Sequence, residues 1–250
     1  MRRGRMSMAR MALPELTQIH ERFLALGQIA RERFGDSLGG RLLLGSQLDP
    51  EGVATVIASS VTGAASLCVD ANADRLREGL RAGFVDFVVA NLDEALRILK
   101  NEIRRARPVS VGVTAQPEPA IDAMIERGLQ PDLLCAIPPK RASVLLERGA
   151  VSLPFQLQAE PETSILAWTV AEGSARTMRS IAELASAALD PARNDTTARR
   201  RWLERSPRYL GRPFAAQQCM RMTSAEAAAF VERAHGAFPA ARITRDGQTL

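Results

Sequence analysis

Short apolar runs alternate with longer amphipathic segments through the first 150 residues, and this alternation is the strongest constraint on the fold. The apolar runs have the length of strands and cover residues 41–45, 64–70, 84–90, 108–113 and 132–137. Between them lie helix-length segments, several of which begin with capping residues such as Asp49, Asn72 and Asn91. Continuous apolar strands separated by helices are typical of a parallel sheet that is buried on both faces. We therefore predict a doubly wound α/β fold with a mostly parallel sheet.

The pattern changes after residue 150. Two further strand-like runs, 152–158 and 164–170, precede three segments with helical spacing at 174–189, 196–204 and 224–235. The last of these begins with Thr223 and Glu226, which have the spacing of a capping box. We expect a disordered leader over residues 1–12, an α/β domain over 13–150 and a C-terminal extension over 151–250. The extension should be mixed at first and then helical, with a loose tail at 241–250.

The bulk composition argues against several classes of protein. Hydrophobic residues make up 46% and charged residues 24% of the chain, which is typical of a globular domain. No apolar run reaches the length of a membrane helix. The net charge of +5 comes almost entirely from arginines that interleave with acidic residues, and aromatic residues make up only 4%. A nucleic-acid surface needs clustered basic residues with stacking aromatics, so we expect neither nucleic acid nor a membrane as a partner.

The cysteines and histidines give no sign of a metal site or of a disulfide framework. Cys68, Cys135 and Cys219 are far apart in the sequence, and His20 and His235 lie near opposite ends. No spacing among them suits zinc. We therefore expect no metal ligand and a reducing, cytoplasmic compartment. The preference for arginine over lysine is typical of high-GC coding and indicates a bacterial-type protein.

Three stretches of the sequence, taken in order and with their spacing, resemble the central domain of urocanase (urocanate hydratase). They read RERFGDSLGGRLLL over 31–44, GAASLCVDANADRLREGLRAGFVDFVVANLDEALRIL over 63–99, and RPVSVGV over 107–113 followed by IERGLQPDLL over 125–134. The resemblance covers roughly residues 22–135. It implies a Rossmann-like domain that, in this family, holds a tightly bound NAD as an electrophile for urocanate.

The resemblance implies a cofactor site at the carboxyl ends of the strands, where doubly wound sheets bind their ligands. The residues that it implies are Gly45, Ser46, Gln47, Gly52, Asp70 and Gln116. Asp70 ends the second strand, where an acidic residue would accept from the ribose hydroxyls. The alternative for Asp70 is a simple turn residue at the strand end. NAD is therefore a cofactor implied by resemblance alone.

The sequence departs from the family where the pyrophosphate should bind. The family has a run of glycines there, whereas this chain reads GSQLDPEGV over 45–53, and only Gly52 matches. Asp49 and Glu51 would repel a phosphate group, and Pro50 has no amide to donate. The segment is either a remodelled ligand loop or an ordinary capped helix start. We expect NAD to bind weakly or not at all.

The residues that line the active site in the family are also replaced. After the Arg-Gly-x-x-Pro-Asp motif the family continues Asp-Gln-Thr-Ser-Ala-His-Asp, whereas this chain reads AIPPKRA over 136–142. That row offers no general acid or base. We therefore predict no catalytic residue and no hydration of urocanate, as in a degenerate, stand-alone relative of the enzyme.

Two classes of function stay open. The first is a non-catalytic module that binds a small ligand at the strand carboxyl ends, or a protein partner through the basic segment from Arg199 to Arg212. That segment is either a surface for an acidic partner or a solvated helix. The second class is an NAD(P)- or nucleotide-dependent enzyme of the lyase or hydratase type with a remodelled site.

Overall fold

The structure is a computed structural model that describes residues 11–153, 162–170 and 175–250. Most of the predicted leader lies outside this part of the chain, and so do residues 154–158 of the strand predicted at 152–158. None of the helices within it combines the length and the apolar character that crossing a bilayer requires.

Six strands form a parallel sheet in the order β3-β4-β2-β1-β5-β6. They are β1 (Leu42–Ser46), β2 (Ala65–Asp70), β3 (Phe87–Val89), β4 (Ser110–Thr114), β5 (Leu133–Cys135) and β6 (Val151–Ser152). The first five correspond to the five predicted strands, and all neighbouring pairs are parallel. β6 pairs with β5, so the sheet extends just past residue 150. The predicted doubly wound, Rossmann-like α/β fold is confirmed.

Six helices cover the two faces of this sheet. They are α1 (Leu16–Arg33), α2 (Pro50–Thr62), α3 (Ala73–Ala82), α4 (Leu92–Arg104), α5 (Pro117–Glu126) and α6 (Pro139–Glu147). Buried side chains of α1, α2 and α3 share one hydrophobic cluster with Leu43. Those of α4, α5 and α6 share a second cluster with Leu42 and Leu44. Successive residues of β1 therefore point to opposite faces, as the strand period requires.

The C-terminal extension adds an antiparallel sheet to the predicted helices. Its strands, in the order β10-β9-β7-β8, are β7 (Thr163–Val170), β8 (Gln217–Thr223), β9 (Ala241–Arg245) and β10 (Gln248–Thr249). The three predicted helices are present as α7 (Ala175–Ala188), α8 (Thr196–Tyr209) and α9 (Ser224–Ala237). The prediction of a loose tail at 241–250 is wrong, because β9 and β10 form a hairpin and β9 pairs with β7.

One hydrophobic core joins the parallel sheet and the extension. Trp202 of α8 packs against Phe23 of α1 with ring centroids 5.1 Å apart, and His20 lies 4.8 Å from the same indole ring. His20 Nε2 accepts a hydrogen bond from the Arg221 amide of β8 at 3.0 Å. Burial, together with the charges of Arg221 and Arg199, lowers the pKa of His20 to about 3. The imidazole at this junction is therefore neutral near pH 7.

Candidate functional site

The switch point of the parallel sheet lies between β1 and β5. The chain leaves β1 toward β2 on one side, and β5 lies on the other side of β1. Ligands of such sheets bind in the crevice beyond these carboxyl ends. Here Ser46 and Gln47 meet Cys135 and Ala136 around a cavity of only about 10 Å³. That volume holds about one water molecule, so the crevice is closed.

The closure is built into the two strand ends. Gln47 and Ala136 both have positive φ values, 74° and 53°, and both directly follow their strands. The Ser46 hydroxyl donates to the Ala136 carbonyl across the gap. Gly52 approaches Gln47 so closely that a Cβ atom would lie 2.2 Å from the Gln47 carbonyl oxygen. Gly52, the one glycine that matches the family pattern, is therefore required by this turn itself.

The N-terminus of α2 is occupied by the chain's own carboxylates. The Asp49 side chain accepts from the Gly52 amide at 2.8 Å. Pro50 occupies the first helical turn and has no amide to donate. The Glu51 carboxylate forms an ion pair with Arg22 of α1. The first turn of α2 therefore carries two carboxylates, one of them paired with Arg22, and its Gly52 amide is already used.

Asp70 at the end of β2 holds two neighbouring turns together. Its Oδ2 atom accepts from the Leu48 amide at 2.7 Å and from Arg75 Nη1 at 3.1 Å. Its Oδ1 atom accepts from the Asn72 amide at 2.8 Å. The side chain is only 4% exposed. These contacts favour the interpretation of Asp70 as a turn residue, and a role in ribose binding stays a prediction.

The six residues implied by the resemblance are not gathered into one pocket. Four of them surround the closed crevice: Gly45, Ser46, Gln47 and Gly52. Asp70 is joined to the same loop through the Leu48 amide. Gln116 is exposed beyond the end of β4, and β2 lies between β4 and β1. Two strand spacings of about 5 Å each separate β4 from β1, so Gln116 follows a strand remote from the crevice.

Two cysteines border the crevice, but neither thiol is prepared for chemistry. Burial raises the pKa of the Cys68 thiol and that of the Cys135 thiol. Thr55 Oγ1 lies 3.3 Å from Cys135 Sγ. A neutral thiol is a poor nucleophile. Within the described residues, no group of three or more His, Cys, Asp or Glu side chains could hold a metal ion.

The segment 136–142, which replaces the family's active-site row, leads into α6. Its one arginine, Arg141, donates from Nε and Nη2 to the Asp122 carboxylate at 2.8 and 2.6 Å. Arg141 Nη1 donates to Glu118 at 2.8 Å. This guanidinium anchors α6 to α5, and the segment contains no side chain suited to proton transfer at pH 7.

The basic segment from Arg199 to Arg212 is not one solvated face. Arg199 is buried and donates to both Glu226 carboxylate oxygens at 2.7 and 3.0 Å. Burial raises the pKa of Glu226, but hydrogen bonds from Arg199 and from two backbone amides outweigh it and hold this pKa at about 2. Arg201 faces α1, whereas Arg208 lies near the other end of α8.

A wide groove lies beside the start of β3, at the edge of the parallel sheet, between α4 and the end of α8. Its volume is about 790 Å³, and Phe87, Arg97, Ile98, Arg208 and Tyr209 are among its lining residues. Phe87 is 48% exposed, although the apolar run at 84–90 predicts a buried strand. The edge position of β3 explains this exposure. The sequence does not predict the groove, because the order of strands in a sheet cannot be inferred from one apolar run.

Residues 19–142 match the family model described as Urocanase, Urocanase Rossmann-like domain. The matched stretch begins in α1 and ends in α6, and it covers about half of the chain. It includes β1 to β5, whereas β6 and the antiparallel extension lie outside it. The match confirms the resemblance that the three motif stretches carry.

Proposed function

We propose that the Urocanase Rossmann-like domain matched by residues 19–142 is, in this chain, a non-catalytic, protein-binding module. The observation that carries the proposal is the closed switch point. There the chain's own Asp49 carboxylate takes the Gly52 amide, and Ser46 closes the gap to Ala136. Folds of this kind support many functions from sites placed elsewhere on the same scaffold.

The residues at the carboxyl edge of the sheet do not fit NAD. Tight binding of a dinucleotide needs backbone amides that converge on the pyrophosphate at a helix N-terminus. Pro50 removes one amide, and Asp49 places a carboxylate beside the position of the phosphates. Glu51 adds a second carboxylate, whose charge is offset by its ion pair with Arg22. Two like charges about 4 Å apart cost about 1 kcal/mol in water, and more when they are partly buried. No catalytic step through NAD therefore follows for this chain.

The groove beside β3 supports a protein partner. Among the described strands β3 pairs only with β4, so an added strand could pair along its other edge, starting at Phe87, the β3 residue that lines the groove. Extended peptides bind sheet edges in this way through their main chain, and side-chain pockets supply the specificity. Phe87 and Ile98 give the groove apolar surface next to this edge.

The charges in the groove favour an acidic partner segment. Its carboxylates are already engaged, because Asp86 accepts from the amide and the hydroxyl of Ser110 and Glu102 is paired within the end of α4. Arg97 and Arg208 also line the groove, and neither forms an ion pair in the described part of the chain. The unsatisfied charges are therefore positive, and an extended segment rich in Asp or Glu would complement them.

Titration calorimetry with NAD and an absorbance assay of urocanate with added NAD test the loss of the enzymatic role. We expect no turnover and no micromolar binding of NAD, since each 1.4 kcal/mol lost weakens binding about tenfold. The double variant Asp49→Gly, Pro50→Gly should still lack tight binding, because Glu51 and Gln47 remain. Micromolar NAD binding or urocanate turnover by the unmodified chain would instead support the alternative, an NAD(P)- or nucleotide-dependent enzyme.

Fluorescence anisotropy with labelled peptides of alternating Glu and Val tests the groove. The acidic peptide should bind, and peptides of alternating Lys and Val should not. We expect Phe87→Glu and Arg208→Glu to weaken binding, because each places a negative charge in the groove. Leu146→Glu is the matched control, since Leu146 is also an exposed apolar residue (40% exposed) but lies on α6. Equal binding of both peptides, or groove variants that behave like the control, would contradict the proposed surface.

A further inference from the structure

We infer that the cleft between α1 and α8 binds a small organic anion, a carboxylate or phosphoryl group carried on a short apolar body. The cleft has a volume of about 150 Å³, and cavities of about this size accommodate molecules such as benzene. Phe23, Gly27 and Arg31 line it from α1, and Thr197 and Arg201 line it from α8. The site lies apart from the switch point and from the groove beside β3. Its test is therefore independent of the proposed function.

The cleft owes part of its space to Gly27 in the interior of α1. A Cβ atom at Gly27 would have a single heavy atom within 4 Å, Arg31 Nη1 at 3.9 Å. No packing neighbour therefore requires glycine at this position. Glycine is a poor helix former, and a glycine inside a helix usually has a packing or a functional reason. Since the packing reason is missing here, the open space itself is the feature to explain.

Two guanidinium groups without carboxylate partners face this space. In the described structure neither Arg31 nor Arg201 forms an ion pair, although Arg199, on α8 with Arg201, is paired with Glu226. Arg201 Nη1 donates to the Asp36 carbonyl at 3.0 Å, which positions the group at the cleft. A guanidinium has five N–H donors, so most donors of both groups are free for an oxyanion.

The start of α8 adds to this positive character but would not define a site alone. The N-cap residue Asp195 makes no side-chain hydrogen bond to the first turn, because its carboxylate binds Arg193 and Arg199. First-turn amides and the helix dipole favour a negative charge. Phe23 and Ala198 belong to the apolar part of the lining, although Phe23 is only 1% exposed and its ring packs on Trp202.

The cleft also contains one carboxylate, and removing its charge should change anion binding in the opposite direction to removing an arginine. Asp36 also lines the cleft, and its φ of 69° is one that asparagine tolerates. Asp36→Asn therefore removes a negative charge with little change to the backbone. The inference predicts tighter anion binding in this variant and weaker binding when an arginine is neutralised. A cation site would respond in the opposite directions.

Titration calorimetry with isobutyrate, inorganic phosphate and the neutral isobutyramide tests the site. We expect at least one of the two anions to bind with a millimolar or lower Kd, and the amide not to bind. Preference for isobutyrate would identify a carboxylate ligand, and preference for phosphate a phosphoryl ligand. Arg31→Gln and Arg201→Gln should each weaken binding about tenfold, the effect of one charge-assisted hydrogen bond.

Three further variants complete the test, with folding checked by circular dichroism. Gly27→Leu should abolish binding by filling the cleft, and Asp36→Asn should strengthen it several-fold. Arg200→Gln is the matched control, because Arg200 is exposed on α8 and does not line the cleft. Arg31 is exposed, so Arg31→Gln gives a result even if Arg201→Gln fails to fold. Absence of anion binding, equal binding of the amide, or an Arg200→Gln effect as large as that of Arg31→Gln would overturn the inference.

Discussion

The starts of α2 and α8 are both helix N-termini, whose dipoles favour an anion, but the side chains around them differ. At α2 the N-cap carboxylate of Asp49 takes the Gly52 amide. At α8 the N-cap carboxylate of Asp195 binds Arg199 and leaves the first turn uncapped by a side chain. A second carboxylate, Glu51, follows the cap at α2 and pairs with Arg22. At α8, the two guanidinium groups that flank the cleft form no ion pair within the described residues.

The difference teaches that a helix start becomes a binding site only through the side chains around it. The α2 start lies at the switch point of a family-type sheet, which is where that fold would place a dinucleotide. The α8 start lies outside the stretch that matches the family. The family match therefore accounts for the parallel-sheet scaffold, while the proposed anion cleft joins α1 of the matched stretch to α8 of the unmatched extension.

The largest expected effect separates the two arginines of α8. Arg199→Met should destabilise the protein by about 3–5 kcal/mol, because it leaves the buried Glu226 carboxylate without its counter-charge. Arg201→Met should cost about 0.5 kcal/mol, since Arg201 makes no ion pair in the described structure. Urea unfolding of both variants measures the contrast. Adding Glu226→Gln to Arg199→Met should recover part of the loss. Equal costs for the two single variants would show that Arg201 is structural and would weaken the contrast between the helix starts.

The stability of the fold should depend on pH through His20 of α1, the helix that borders the starts of both α2 and α8. His20 has a pKa of about 3 in the folded chain and an ordinary value of 6.5, so the unfolded chain takes up a proton first as the pH falls. Stability is therefore complete above about pH 6.5 and decreases toward pH 3, by about 1.4 kcal/mol per pH unit. The contribution of His20 should make the free energy of unfolding about 2 kcal/mol lower at pH 5 than at pH 7.

The control for this effect is His20→Gln, because an amide oxygen can accept from the Arg221 amide without titrating. The pH 7 to pH 5 loss should shrink by about 2 kcal/mol in this variant relative to the unmodified chain. His235→Gln, on the exposed surface of α9, is the matched variant. An unchanged loss in His20→Gln would mean that other groups control the acid sensitivity of the junction.

A substitution at Gly52 tests directly whether the turn between β1 and α2 is closed. Gly52→Ala would place a Cβ atom 2.2 Å from the Gln47 carbonyl oxygen, so the turn after β1 must shift. We expect a loss of about 2 kcal/mol in denaturant unfolding, within the usual range for a backbone clash. Gly45→Ala should cost less, because its nearest contact would be at 3.9 Å, the Cys135 carbonyl oxygen. A neutral Gly52→Ala would indicate that the loop has room to open, and the case against NAD would weaken.

Much of the fold could be predicted from the sequence because its signals are local. Strands β1 to β5 are short apolar runs, and Asp49, Asn72 and Asn91 all cap helices as their positions predict. The sequence does not predict α6, because Pro138 and Pro139 favour a break. Pro139 instead occupies the first helical position, where its missing N–H costs nothing.

The remaining features depend on partners that lie far away in the sequence. β8 reads QQCMRMT, a run with no strong strand signal, and it forms because β7 lies beside it. At the closed crevice, the capping role of Asp49 could be predicted locally. The contact between Ser46 at the end of β1 and Ala136 after β5 could not. The cleft joins Arg31 to Arg201, and only the packing of α1 on α8 brings these two side chains together.

The smallest expected effect tests why α1 contains Gly27. Alanine is about 1 kcal/mol better than glycine inside a helix, and the added Cβ would meet only Arg31 Nη1, at 3.9 Å. Gly27→Ala should therefore stabilise the chain by up to about 1 kcal/mol, or raise its Tm by about 2–4 °C. The same methyl group reduces the cleft next to Arg31, so anion binding should weaken while stability rises. A change that stabilises a protein and impairs its binding indicates that the residue is kept for the ligand. If Gly27→Ala instead destabilised the chain, the glycine would be a packing residue, and the open helix start at α8 would lose its clearest distinction from the closed one at α2.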